Sequence, residues 1–395
     1  MQATQLTVEH HVFRESLKAF IRKEILPHID QWEEEGKIDR AIWKKMGDMG
    51  FIGLNYPEVY GGLDLDFYYS MILCEELSQC FSGGFTITAL VIQYMSAPYL
   101  LKYASEELKE KYLKGVIAGD LVSAVAITEP GAGSDVQKIQ TTAIREGDHY
   151  IVNGSKTFIT NGYYGDFFIT AVKTDPTKGS KGISLLLIDR HALGVTATKI
   201  NKMGWHASDT AELGFDQVKV PISHLIGEEG AGFSYLMDGL QLERLTAAIQ
   251  SIATADSALQ YTLEYINKRE VFKHKLQDFQ VVRHRVAQMV ADIATTKAFI
   301  YACCDLQQLG KYAVKECSIA KLQASELAVR IVSQCFQLFG GYAFTEDFKI
   351  ARIYRDIRVG TIIGGTSEIM LEIIAKMTID KVNYQSKSDK TISSN

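Results

Sequence analysis

Ala126–Asp135, AITEPGAGSD, is the stretch at which the chain changes character. The apolar residues from Leu121 to Ile127 read as a buried strand. Pro130 ends its hydrogen-bond ladder, and Gly131 and Gly133 let another molecule approach the backbone closely. Thr128 and Ser134 place two hydroxyls on the same bend. A planar ring carrying both donors and acceptors, such as an isoalloxazine, suits that surface. An ordinary strand end with a glycine turn accounts for the same residues. A dinucleotide fingerprint does not, because GAGSDV lacks the final glycine and Pro130 intrudes.

Upstream of this bend the spacing of apolar residues is helical. Leu6 to Leu26 forms an amphipathic pattern stopped by Pro27, and Arg40 to Met49 forms another. After the loop NYPEVYGGLDLD, helices are expected over Phe67 to Gln79, Phe85 to Tyr103 and Glu106 to Ile117. Downstream of Asp120, short strand-like runs alternate with turn signals such as Asn153-Gly154, Asn161-Gly162 and Asp175-Pro176. They imply a compact antiparallel β domain ending near Pro221. From Phe233 to about Asp380 the helical period returns in four or five long helices, with Val282, Val286, Met289 and Ile293 marking a bundle seam. The expected fold class is therefore α+β, mostly α. It comprises an N-terminal helical domain (1–120), a middle antiparallel β domain (121–226), a C-terminal four-helix bundle (227–382) and a polar, disordered tail (383–395).

Composition narrows the function. The 395 residues carry a net charge of −5 with no block of five like charges, so a nucleic-acid footprint is not expected. The apolar run Phe85 to Met95 is too short to span a bilayer. The N-terminus lacks a signal core and arginine-rich transit character, which points to a bacterial cytoplasm or a processed mitochondrial matrix chain. The six cysteines form no CxxC pair and read as reduced packing residues; the histidines show no ligand spacing, and no metal is expected.

Five further features could carry chemistry, and each has a plainer reading. In NGSKTFITNG (Asn153–Gly162), Phe158 could stack on a flat ring while Thr160 bonds its edge, or the segment is a half-buried strand. In NKREVF, Arg269 could neutralise a pyrophosphate, with Phe272 and Gln280 nearby, or it is a solvated charge. In QLFGG (Gln337–Gly341), Gly340 and Gly341 cap a helix or admit a ligand or second subunit. In GGTSEIM (Gly364–Met370), Thr366 and Glu368 cap a helix, whose free amides also suit an electron-rich oxygen. In LQLERL, Glu243 is either a buried carboxylate able to act as a base or half of a surface Glu–Arg pair with Arg244.

In this order and spacing, AITEPGAGSD, KTFITNG and QLFGGYAFTEDFKIARIYRDIRVGTIIGGTSEIM resemble the acyl-CoA dehydrogenase family over roughly Leu6 to Asp380. The resemblance implies FAD held between the β domain and the bundle. It implies cofactor contacts at Ile127, Thr128, Gly133, Ser134, Phe158, Thr160, Arg269, Phe272, Gln280, Gln337, Gly340, Gly341, Thr366 and Glu368, and substrate contacts at Ser134, Arg244, Gly364 and Gly365. It implies that a second subunit completes the cofactor site, in a homotetramer built as a dimer of dimers, and that electron-transfer flavoprotein accepts the electrons. Many members carry a catalytic glutamate where this chain has Gly364. The long-chain and isovaleryl types take it from the helix where Glu243 stands, so Glu243 is the expected base, and citronellyl-type members look similar. Phe158 replaces a usual tryptophan, Lys273 a usual glycine and His206 a usual arginine. Glycine at 364 implies room for a medium or long, or branched, acyl chain. An oxygen-using oxidase and a non-catalytic relative are the alternatives.

Overall fold

The structure, a computed structural model, describes residues 6–384. Most of the tail expected to be disordered, 385–395, lies outside the described residues. Thr7 caps the first helix, Val8–Phe20, by accepting from the His10 amide. Helical backbone continues through Ile21–Ile25 and Leu26–His28 into Ile29–Glu35, so Pro27 bends the segment without ending it. The fixed ring angle of proline is tolerated here within the first turn of a helical piece. Helices Ala41–Asp48 and Phe67–Leu77 follow, the second capped by Asp66.

The run expected over Phe85 to Tyr103 is Gly83–Leu90, a wide π-helical turn at Val91–Ser96, and Ala97–Tyr103. Pro98 has no N–H to give the preceding turn, where the Gln93 carbonyl accepts instead from the Tyr56 hydroxyl at 2.6 Å, and the Ser96 hydroxyl donates to the Val91 and Ile92 carbonyls at 2.9 and 3.1 Å. By length and composition, Gly83–Tyr103 could cross a membrane, with a mean hydropathy of 1.3. Of that window, 83% is buried inside the protein.

Eight strands form one sheet: β1 (Ser123–Ala126), β2 (Thr142–Glu146), β3 (His149–Thr160), β4 (Phe167–Lys173), β5 (Ile183–Asp189), β6 (Val195–Lys199), β7 (Thr210–Pro221) and β8 (Leu225–Ile226). The path runs β6-β7-β3-β2-β4-β5-β8, with β1 beside β4. Two features depart from the antiparallel reading. β1 pairs parallel to β4, and β2 touches β4 in parallel at Thr142–Lys173. The chain reaches β1 from the helical domain, so no hairpin dictates its direction. In addition, Asn153-Gly154 is a bulge inside one long strand, where the sequence suggested a turn between two.

The C-terminal region has three long helices, Gly232–Lys268, Gln280–Gln308 and Val314–Phe339, and two short ones, Lys349–Ile357 and Ser367–Thr378. Val282, Met289 and Ile293 are buried on the expected seam, with Val286 packed beside them. One apolar core runs from the N-terminal helices into this bundle, and a second, smaller one fills the sheet. All six cysteines are buried and unpaired.

Candidate active site

The AITEPGAGSD bend is fastened from below. Glu129 and Ala132 exchange backbone hydrogen bonds at 3.1 and 3.0 Å, making Pro130-Gly131 the tip of a tight turn. The Glu129 carboxylate is buried and accepts from the Gln140 and Thr141 amides at 2.6 and 3.0 Å. Lys156, fully buried on β3, donates to the Ile127 carbonyl at 3.0 Å and to Glu129 at 2.8 Å. The Thr157 amide adds a bond to the Thr128 carbonyl at 2.9 Å. Burial draws the Lys156 ammonium down to about 8 against the pull of Glu129, and Lys156 and the neighbouring donors hold Glu129 below the ordinary carboxylate range.

This fastening ties the Thr128 end of the bend to the stretch of β3 that carries Phe158 and Thr160. Phe158 is 67% exposed, with φ at +60°, between buried Thr157 and Ile159. An aromatic side chain held outward on left-handed backbone is strained, and such strain marks places where a ligand is met. Among the described residues, the hydroxyls of Thr128, Ser134 and Thr160 have no partner within the chain, nor do the amides of Gly133 and Ser134. An exposed aromatic edge beside free donors and acceptors fits a flavin ring.

The strand leading to the bend is tied to the helices. The hydroxyls of Ser123 and Ser96 lie 2.5 Å apart. Ser96 precedes the Ala97–Tyr103 helix, and its Tyr99 hydroxyl donates to Glu243 at 3.1 Å. Glu243 is half-buried, and desolvation raises its carboxyl to about 7 despite Tyr99 and Arg244. Arg244 is buried too, and its Nε has no partner. Near it, Lys321 is buried and donates to the Gly365 carbonyl at 2.6 Å. Burial and the Arg244 charge lower the Lys321 ammonium to about 8.

That bond fixes the Gly364-Gly365 turn, where φ is +62° and +96°. A Cβ at Gly364 would meet nothing within 4 Å, so its side faces open space. The Gly364 amide has no partner within the chain. Thr366 caps the following helix by accepting from Ile369, and Glu368 lies exposed in the first turn.

The remaining expected residues gather elsewhere. Arg269 ends the long helix and lies over the Tyr342 ring at 5.4 Å, next to Gly340 and Gly341. A two-stranded hairpin follows, with Phe272 and Lys273 at its tip and Phe272 89% exposed. Gln280 and Gln337 are also exposed. No hydrogen bond, ion pair or ring contact among the described residues joins this set to Thr128, Ser134, Phe158 or Thr160. Glu129, Lys156, Tyr99 and Lys321 were missed by the sequence reading. A glutamate before proline and lysines within strand or helix patterns carry no local sign of burial.

Three family models match consecutive parts of the chain: "Acyl-CoA dehydrogenase, N-terminal domain" over residues 7–120, "middle domain" over 124–218 and "C-terminal domain" over 230–379. The chain is 39% identical over 373 residues to the mitochondrial long-chain specific acyl-CoA dehydrogenase of Sus scrofa, covering 93% of this chain and 86% of that protein. An acyl-CoA dehydrogenase structure from Geobacillus kaustophilus matches with a TM-score of 0.93 and 43% identity, over 96% of this chain and all of that one. A glutaryl-CoA dehydrogenase from Mycobacterium smegmatis in complex with FADH2 matches with a TM-score of 0.90 and 26% identity, over 96% and 97% of the two chains. Matched through all three domains, this chain belongs to the acyl-CoA dehydrogenase family.

Proposed function

We propose that this protein removes the α-proton of an acyl-CoA thioester with Glu243 and accepts a medium or long, or a branched, acyl chain. The coarser activity, FAD-dependent dehydrogenation of acyl-CoA, follows from the family. The observation that carries the finer reading is the half-buried Glu243, raised to about 7 by desolvation, together with the open space at Gly364. A carboxylate with that pKa is a stronger base than an exposed one and is still ionised in a large fraction near neutral pH. The free Gly364 amide can donate to the thioester oxygen as negative charge develops there. Lys321 keeps that turn in place through Gly365. When bound, FAD supplies the acceptor for the β-hydride, and the product is a trans-2-enoyl-CoA. Thr128, Ser134 and Thr160 would bond the flavin ring, and Phe158 would cover it. In this reading the domains are bounded at 121 and 227, and the cofactor would lie at their junction.

Arg269, Phe272, Gln280, Gln337, Gly340 and Gly341 serve the cofactor of a neighbouring subunit, which makes the active form at least a dimer and, in our reading, a tetramer. Exposed Phe272 and Phe344, 89% and 90% accessible, support a surface that another copy covers. Electron-transfer flavoprotein takes the electrons onward.

The test is anaerobic bleaching of the flavin band with butyryl-, octanoyl-, palmitoyl- and isovaleryl-CoA, on wild type and Glu243→Gln. Bleaching is expected with octanoyl-, palmitoyl- or isovaleryl-CoA, with a loss of about a thousandfold or more in the variant. Because the base must be ionised, the wild-type rate should rise with pH through about 7. Equal bleaching by both proteins would remove Glu243 from the mechanism, and best activity on butyryl-CoA would refute the chain-length reading.

A further inference from the structure

We propose that Tyr99 is a positioning residue for this reaction: its phenol holds the Glu243 carboxylate in place and sets how readily that carboxylate ionises. The inference rests on Glu243 being the base. Two independent features of the packing support it. The Tyr99 hydroxyl donates to Glu243 Oε1 at 3.1 Å while its ring is 2% exposed. Gly239, one turn before Glu243 on the same helix, makes the space for it. A Cβ at Gly239 would lie 2.4 Å from the Tyr99 hydroxyl oxygen and 2.7 Å from the ring carbon that bears it. Glycine within a 37-residue helix is unfavourable, and here it has a packing reason, since any side chain would push the phenol off the carboxylate.

The widened turn at Val91–Ser96 sets the phase of the helix that presents Tyr99. Such turns occur often at functional sites.

The charged surroundings leave Tyr99 as the neutral donor to this carboxylate. On the helix bearing Tyr99, Lys102 and Tyr103 are both engaged with Asp238, at 3.1 and 2.8 Å. Arg244 follows Glu243 on its own helix and favours its ionised form. From Val314–Phe339, Cys317 and Lys321 face Arg244, and the Tyr312 hydroxyl donates to the Met237 carbonyl at 3.2 Å. Burial raises the Tyr99 phenol well above its ordinary value, so it stays a donor throughout the working range. A donor that bonds the ionised form lowers the pKa of the base, against the desolvation that raises it.

The experiment is the pH profile of anaerobic flavin reduction by octanoyl- or palmitoyl-CoA, whichever bleaches the wild type faster. Tyr99→Phe removes the hydroxyl and keeps the ring. Its acid limb should move up by about one pH unit, the effect of one hydrogen bond to a charged group, with FAD content unchanged. Gly239→Ala, which displaces the phenol and favours the helix, should move the limb in the same direction and serves if Tyr99→Phe fails to fold. An unmoved limb in the folded variants overturns the proposal. Glu243→Gln separates the two readings. If that variant is inactive and the limb does not move, Tyr99 alone is excluded; if it bleaches like wild type, the assignment of the base has failed.

Discussion

Lys273 stands where the resemblance implies a glycine, and the backbone shows why glycine suits the position. Phe272 and Lys273 form the two-residue tip between Glu270–Val271 and His274–Lys275, with φ at +53° and +66°. Two successive left-handed residues are the signature of the hairpin turn that matches strand twist. A side chain on such backbone costs roughly 1–2 kcal/mol, while glycine gives back about 0.5–1 kcal/mol through the freedom of the unfolded chain. Lys273 is exposed, so no packing is lost on truncation. Lys273→Gly should therefore stabilise the folded chain by about 0.5–1 kcal/mol, read as a higher urea midpoint at unchanged slope. A lower midpoint would show that the lysine side chain makes a stabilising contact. The same scale explains what was legible beforehand at the base. Glu243 among leucines suggested burial, but a helical Glu–Arg pair is equally compatible with a surface. The missing carboxylate at Gly364 turned the choice toward Glu243, and the burial of Arg244 agrees with it.

Between elements, the Lys156–Glu129 pair joins the two stretches expected to meet the flavin. Both groups are buried, and Glu129 is satisfied on its other side by Gln140 and Thr141 amides. Removing one partner leaves a buried charge unpaired and costs about 3–5 kcal/mol, whereas removing both is far milder. Lys156→Met should lower the urea midpoint accordingly and release FAD, measured as flavin retained on desalting. Glu129→Gln combined with Lys156→Met should recover part of the stability. Full flavin retention in Lys156→Met would mean that the bend holds its shape without the clamp. The order of domains and the bundle seam were readable because periodicity reports burial directly. The parallel β1–β4 pairing was not, since strand direction depends on where the chain returns from and not on its local pattern. Nor was Lys156 readable as a clamp, because its partner lies 27 residues away on another element.

The three regions of the molecule meet at Asp356. Its carboxylate, on the Lys349–Ile357 helix, accepts from the Gly83 amide of the helical domain at 2.9 Å and the Trp205 amide beside the sheet at 2.6 Å. Gly83 must be glycine for this contact, since a Cβ would lie 2.4 Å from Trp205 Nε1. Burial and the nearby Glu33 raise the Asp356 carboxyl to about 7, against the two amides and Arg352. Glu33 is itself buried and accepts from the Ser82 hydroxyl. The folded state thus holds a proton on Asp356 at pH values where the unfolded chain, with an ordinary value of 3.8, has lost it. The stabilising contribution is complete below the unfolded value and is lost as pH rises through about 7. Between pH 6 and pH 8 the linkage amounts to a loss on the order of 1 kcal/mol. Glu33→Gln keeps an acceptor for Ser82 and removes the like charge, so it should lower the Asp356 pKa and flatten this decline. Urea midpoints measured across that range should fall for wild type and fall less for the variant, with FAD saturating in both. Parallel declines would mean that burial alone, without Glu33, sets the protonation of Asp356, and a flat wild-type midpoint would mean that Asp356 stays ionised at the junction, its charge carried by the Gly83 and Trp205 amides and Arg352. In that flat case the contact between the three regions is insensitive to pH across the range in which Glu243 titrates.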